Sequence, residues 1–309
     1  MKLSVVATLY RSEAYIPEFC ERASAAARQI SGNNYEIVLV NDGSPDRSLD
    51  IAVAISESDP HVVVVDLSRN FGHHRAMMTG LAQARGEHVF LLDSDLEEEP
   101  EWLILFQAQM AAQHCDVVFG VQQTRKGGWF ERWSGDLFYR LLPMISGIDM
   151  PRSMVTARLM TRRYVNALLL HEEREIDIGG LWVITGFEQR PEMIKKHSTS
   201  ESTYSLRHRF SLLINSITAF SNLPLIGIFY VGLAMLLVSG AFASFFVAQW
   251  LLIDQPVSGW TSMIVSLWLI GGMVILFLGV IGIYLAKMFS EVKRRPYTII
   301  RKVYEHQPR

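Results

Sequence analysis

Two cysteines, Cys20 and Cys115, are all that the 309 residues hold. They stand far apart and match no metal or redox spacing, so they read as reduced core thiols, which suits a cytoplasmic catalytic part. A surplus of positive charge is also missing. The net charge of −2 and a pI near 6.5 exclude a nucleic-acid binder that works through bulk charge. The opening MKLSVVATLYRSEAY has an apolar run too short for a signal peptide and is expected to form a first strand. No G-x-G-x-x-G follows that strand, which removes most support for a dinucleotide dehydrogenase.

The most informative absence is of charge at one end of the chain. Residues 210–253 carry no charged side chain, and neither do residues 255–286. Each run exceeds the roughly 20 apolar residues that cross a bilayer. The expectation is one membrane helix near Leu225–Trp250 and a second near Ser262–Ala286, joined as a hairpin by Asp254-Gln255-Pro256. Arg207 and Arg209 precede the pair, while Lys287, Lys293, Arg294 and Arg295 follow it and the link has no cation. The positive-inside rule then puts both ends in the cytoplasm, with the protein multi-pass in the plasma (inner) membrane.

What is present in the first half is alternation. β-rich runs at Leu3–Ala7, Glu36–Val40, Val62–Asp66, His88–Leu92 and Asp116–Gly120 are separated by helical patterns at Ala14–Ile30, Arg47–Ser58, Arg75–Ala84 and Glu101–Gln113. Such β-α-β repetition predicts an α/β fold with a largely parallel sheet, whose ligands sit at the carboxyl ends of the strands.

Those strand ends are acidic. VNDGSPD follows the second strand, and Asp42 there opens a Gly-Ser turn for which ordinary turn chemistry would suffice. LLDSDLEEEPE follows the fourth, with six carboxylates between Asp93 and Glu101. If the segment stays extended, Asp93, Asp95 and Glu97 face one side and can gather around a hard divalent cation whose remaining ligands are phosphate oxygens. Glu98, Glu99 and Glu101 lie at a helix start around Pro100, where the helix dipole favours negative charge. Asn70, Phe71, Gly72, His73 and His74 form a loop after the third strand; with no further imidazole or thiol nearby, it is expected to serve donor binding or packing rather than a metal.

The motifs VNDGSPD, LSRNFGHHRAMMTGLAQARG, LLDSDLEEEPE, DVVFGVQQTR, TARLMTRRYVNAL, GLWVITGF, AFSNLPL and GVIGIYLAKMFSEVKRRPY occur in this order along nearly the whole chain. Through them the chain resembles the family 2 glycosyltransferases of GT-A fold. More narrowly, it is similar to membrane-anchored polyprenyl-phosphate sugar transferases of the dolichol-phosphate-mannose synthase type. The resemblance implies an inverting transfer of a sugar from a nucleotide diphosphate sugar to a membrane polyprenyl phosphate, using Mg²⁺ or Mn²⁺. It implies that Asp42 recognises the nucleobase and that Asp93 and Asp95 bind the cation on the donor diphosphate, with Asp95 central to catalysis. Glu97 stands where the family usually has a glutamine of the metal shell. Four parts are expected: a catalytic GT-A domain over 1–204, an interfacial helix over 205–221, two membrane helices over 222–289 and a basic tail over 290–309. A homo-oligomer is left open.

The chain also departs from the family. An acidic residue ahead of Phe-Arg-Leu, often treated as important for catalysis, falls on Thr156, while the arginine survives as Arg158. The acid of the usual G-E-Y-L is replaced by Ile283. A hydroxyl acceptor needs a general base, whereas a phosphate, with a second pKa of about 6, is already largely ionised. Thr156 therefore favours a phosphate acceptor. A hydroxyl acceptor would have to use Asp149 or Glu173 as base, and a non-catalytic membrane partner of the same fold is opposed by the intact Asp42, Asp93 and Asp95. Arg125, Arg158 and Lys196 are candidates for the acceptor phosphate, and Arg158 for catalysis with it. Trp129, Phe130, Trp133, Phe138 and Tyr139, mixed with Arg132 and Arg140, suit a helix lying in the membrane interface.

Overall fold

The computed structural model describes residues 2–122, 154–173, 177–195, 223–253 and 259–306. Arg125, Asp149, Lys196, the aromatic segment 129–139, the interfacial helix expected over 205–221 and the link at 254–256 lie outside the described residues. By contacts the chain divides into two units, and the described parts of the first are residues 2–122, 154–173, 177–195 and 295–306.

The first unit is a mixed α/β layer structure, built on one eight-stranded sheet. LSVVATL and YEIVLVN are nearly continuous β-branched and aliphatic runs, the pattern of strands covered on both faces. They form β1 (Leu3–Leu9) and β2 (Tyr35–Asn41), in which every residue is buried. Next come β3 (Val62–Leu67), β4 (His88–Leu91), β5 (Val117–Gln122), β6 (Met154–Thr161), β7 (Gln189–Ile194) and β8 (Ile300–Tyr304). Their order across the sheet is β7-β5-β6-β4-β1-β2-β3-β8. The pairs β1–β2, β1–β4, β2–β3 and β5–β7 are parallel. Strand β6 runs antiparallel between β4 and β5, and β8 runs antiparallel to β3.

Helices α1 (Ile16–Ser31), α2 (Ser48–Ser58), α3 (His73–Gln83) and α4 (Trp102–Gln113) link the first five strands, followed by α5 (Arg162–Leu168) and α6 (Ile178–Ile184). Two apolar layers result. Phe19 and Ala23 of α1 with Leu103 and Phe106 of α4 cover one face, and Met77 and Leu81 of α3 with Leu168 and Trp182 cover the other. Both cysteines are free and buried, and burial pushes the Cys20 thiol up to about 12.

The second unit contains α7 (Leu223–Ile253) and α8 (Trp260–Val292). Among the described residues one stretch, Leu269–Val292, is long and apolar enough to cross a membrane, and the apolar stretch in α7 is the shorter Leu225–Met235. Along α8 large apolar side chains stand open: Ile275 is 73% exposed and Leu285 62%. A surface of that kind needs an apolar surrounding.

Residues 290–309, expected as a basic tail, instead include β8, which closes the β3 edge of the sheet. Arg301 of β8 donates to Asp66 Oδ2 at 3.2 Å, and Asn41 Nδ2 donates to Asp66 Oδ1 at 2.8 Å. Asp66 is 1% exposed, so its buried oxygens need these donors. Thr79 and Thr298 hydroxyls pair at 2.7 Å, and Ser68 N–H donates to Ile299 O at 2.9 Å. Arg301→Ala should therefore lower stability by about 1–3 kcal/mol, the cost of stripping a donor from a buried acceptor. The exposed neighbour Lys302→Ala should stay within about 0.5 kcal/mol, and thermal unfolding of the detergent-purified variants checks the contrast.

Candidate active site at the strand ends

The carboxyl ends of β1, β2, β3 and β4 come together as the parallel register dictates, and the loops that leave them form the site. After β2 the chain turns at Gly43 with φ +60°. A Cβ there would lie 2.5 Å from Asn70 N, so only glycine lets the loop after β3 rest on this turn. Asp42 is 3% exposed and accepts from Phe71 N–H at 2.7 Å and Gly72 N–H at 3.0 Å. Burial raises its pKa above the ordinary carboxylate value, and the two N–H donors with His73 and Arg69 oppose the rise. Asp42 thus acts first as a clamp on the loop that starts α3.

His73, the first residue of α3, lies beside the fourth strand's acids. Its Nε2 is 3.2 Å from Asp93 Oδ1, and its Nδ1 is 3.0 Å from Thr8 Oγ1 at the end of β1. The other oxygen, Asp93 Oδ2, accepts from Thr156 Oγ1 of β6 at 3.0 Å. Sequence reasoning assigned none of Thr8, His73 and Thr156 to this contact. No local signal marks it, because the three residues come from three separate elements.

The expected convergence of three carboxylates is corrected. Residues 94–98 turn rather than extend, and Leu96 is left-handed at φ +60°, so the alternation that would put Glu97 beside Asp93 and Asp95 is broken. Among the described residues no group of three or more His, Cys, Asp or Glu is arranged to hold a metal ion. Glu97 enters through its backbone instead, donating N–H to Asp95 Oδ1 at 3.0 Å. Asp95 itself is exposed, and Asp93 is half-buried.

Glu98 has a different part from the helix-start role expected of it. It is 0% exposed and accepts from Thr156 N–H at 3.1 Å and from Asp93 N–H at 3.4 Å. One buried carboxylate therefore joins the turn after β4 to β6. The charge of Glu98 acts on Arg158, also 0% exposed, whose Nη1 and Nη2 are buried without a hydrogen-bond partner among the described residues. Burial pulls the Arg158 guanidinium down to about 9, with the charge of Glu98 among the influences that hold it up. It therefore stays charged at neutral pH. The guanidinium carbon lies 3.0 Å from the centre of the Trp182 ring, and Nε donates to Thr156 O at 3.3 Å. Placed so, Arg158 is a core cation under the acidic turn and not an open ligand for a lipid phosphate. Tyr164 alongside donates its hydroxyl to Trp182 O at 2.9 Å.

Known proteins resemble this chain along most of its length. The model of Glycosyl transferase family 2 matches residues 4–170. A Mycobacterium tuberculosis (strain CDC 1551 / Oshkosh) protein, named under putative glycosyltransferases, is 46% identical over 304 residues, spanning 98% of this chain and 89% of its own length. An undecaprenyl-phosphate 4-deoxy-4-formamido-L-arabinose transferase of Pseudomonas paraeruginosa (strain DSM 24068 / PA7) is 33% identical over 313 residues, spanning 99% of this chain and 91% of its own. Among solved structures, glucosyl-3-phosphoglycerate synthase of Mycobacterium tuberculosis in complex with Mn²⁺ and uridine-diphosphate-glucose overlaps 70% of this chain and 77% of that one, at 18% identity and a TM-score of 0.45.

The two buried charges generate a test. Arg158→Met keeps much of the volume but withdraws a cation that acts on Glu98, and should destabilise the protein by about 3 kcal/mol. Adding Glu98→Gln removes the orphaned charge, so the double variant should recover part of that loss. Thermal unfolding of the two single variants and the double variant measures the non-additivity.

Proposed function

The chain belongs to glycosyl transferase family 2, and within it we propose a membrane-bound inverting transferase that moves a sugar from a nucleotide diphosphate sugar to a polyprenyl phosphate. Support comes chiefly from the near full-length likeness to a transferase named for undecaprenyl phosphate. The threonine at position 156 supports it too, since a phosphate acceptor needs no side chain to remove a proton.

The donor set fits a divalent cation. Asp93 and Asp95 offer hard oxygen ligands at one strand end, and a diphosphate-bound ion needs only one or two protein carboxylates because phosphate and water complete its shell. Mg²⁺ or Mn²⁺ held there would offset the charge of the departing diphosphate. Asp42 shapes the donor side through the loop at Phe71 and Gly72. In the transfer, a phosphate oxygen of the acceptor forms a bond to the anomeric carbon from the face opposite the diphosphate. The carbon–oxygen bond to the nucleotide breaks and the electron pair leaves with the nucleoside diphosphate. Arg125 and Lys196 are proposed to draw the lipid phosphate in; Arg158 contributes by holding Glu98 and so the acidic turn. The second unit is proposed to span the membrane as a helical hairpin, with the catalytic unit cytoplasmic.

Incubating membranes that contain the protein with a panel of nucleotide sugars and polyprenyl phosphate should yield a sugar-phosphate lipid, read by mass spectrometry of the extract. Excess chelator should abolish the product and added Mn²⁺ or Mg²⁺ restore it, and Asp95→Asn should lose most activity while folding normally. Undiminished transfer in chelator would overturn the metal role.

Topology has its own check. A cysteine placed at Ser258, in the link between α7 and α8, should react with an impermeant thiol reagent applied from outside intact cells. Labelling only after permeabilisation would reject the hairpin.

A further inference from the structure

We infer that Thr156 and His73 are positioning residues for Asp93, fixing that carboxylate for a divalent cation and thereby setting the metal affinity of the site. The inference rests on the proposed function and concerns residues to which that function assigns no task.

Asp93 is the second residue after β4, and a short side chain there is free to adopt several rotamers unless something holds it. Two contacts do. Thr156 Oγ1 donates to Oδ2 at 3.0 Å, and His73 Nε2 lies 3.2 Å from Oδ1. His73 Nδ1 in turn lies 3.0 Å from Thr8 Oγ1, a hydrogen bond whose direction depends on the ring tautomer. The contacts make one line, Thr8 to His73 to Asp93, with Thr156 closing it from the other side. Four segments contribute: the end of β1, the start of α3, the turn after β4, and β6.

The line is anchored at its base as well. The backbone N–H groups of Asp93 and Thr156 both donate to Glu98, so the two residues whose side chains meet also share one buried acceptor. The Asp93 side chain is 22% exposed and that of His73 49%, so the group is partly open to solvent.

The residue type at 156 then matters for a reason separate from proton removal. An aspartate there, as the family resemblance leads one to expect, would set a second anion against Asp93, and the pair would repel unless a proton or a cation lay between them. Threonine presents a donor in that place. It lowers the negative charge of the site and orders Asp93 in the absence of metal. Groups that orient metal ligands typically change affinity by about 10- to 100-fold when removed.

The experiment reads Mn²⁺ binding directly, as loss of the free-ion signal in electron paramagnetic resonance, on full-length protein in detergent with and without nucleoside diphosphate. Thr156→Val keeps the shape and removes the hydroxyl; His73→Ala removes the ring. Each should weaken Mn²⁺ binding by about tenfold or more and raise the KM for the nucleotide sugar at limiting Mn²⁺, with the rate recovering as Mn²⁺ is raised. Thr156→Ser and His73→Gln, which restore a donor, should recover affinity. A merely structural role would lower the melting temperature without this metal-dependent recovery, and that result would overturn the inference. So would unchanged Mn²⁺ affinity in Thr156→Val and His73→Ala while Asp95→Asn abolishes binding, an outcome that leaves the proposed function standing. If the unaltered protein takes up no Mn²⁺ with or without nucleotide, the metal reading falls and the inference falls with it.

Discussion

Glu98 is the group on which the arrangement of the acidic turn depends. The chain leaves β4 and folds back within a few residues, while β6 arrives from the opposite direction, so backbone N–H groups at 93 and 156 face each other across a gap that no strand ladder spans. Left unpaired inside the protein, each would cost a large share of a hydrogen bond. One buried carboxylate accepts from both. A lone anion in that position would be costly in turn, and the positive charge of buried Arg158, stacked on Trp182, acts on it. Asp93 and Thr156 meet because their main chains hang from the same group.

A second constraint works on the other flank. The tight Gly43 turn and the two N–H donors to Asp42 press the loop after β3 against the end of β2. That contact fixes where α3 begins, and so where His73 stands. Two buried carboxylates, Asp42 and Glu98, therefore hold loops, while Asp95 is exposed and Asp93 half-buried. The strand-end acids divide by burial into those that build and those that are available to bind.

Much of this was legible in the sequence. Strands β1 to β5 and helices α1 to α4 announce themselves, because β-branched runs and helical periodicity alternate with little interruption. The apolar C-terminal helices stand out by lack of charge. Three strands were not legible. Strand β6, MVTARLMT, mixes buried polar and apolar residues, since Arg158 sits in the core and Thr156 in the site. In β7 a proline and charged side chains obscure the pattern. Strand β8, IRKVY, carries lysine and arginine on an exposed sheet edge, as edge strands commonly do, and so resembles a basic tail. Within the site, acids were found by position along the chain, but their tasks were not. Asp93, Asp95 and Glu97 are equivalent in an extended segment and cease to be so once Leu96 turns. Partners supplied by other elements, such as Thr8 and His73, leave no trace in local spacing.

The return of β8 to the sheet has a consequence for how the molecule is made. Chains emerge from the ribosome N-terminus first, and domains usually fold as they appear. Here the edge of β3 is covered by residues synthesised after both apolar helices. During translation the sheet therefore waits, with Asp66 lacking its arginine, until α7 and α8 have been synthesised. Completion of the sheet is tied to completion of the hydrophobic segment, so a polypeptide that stalls before residue 300 carries an unfinished sheet edge.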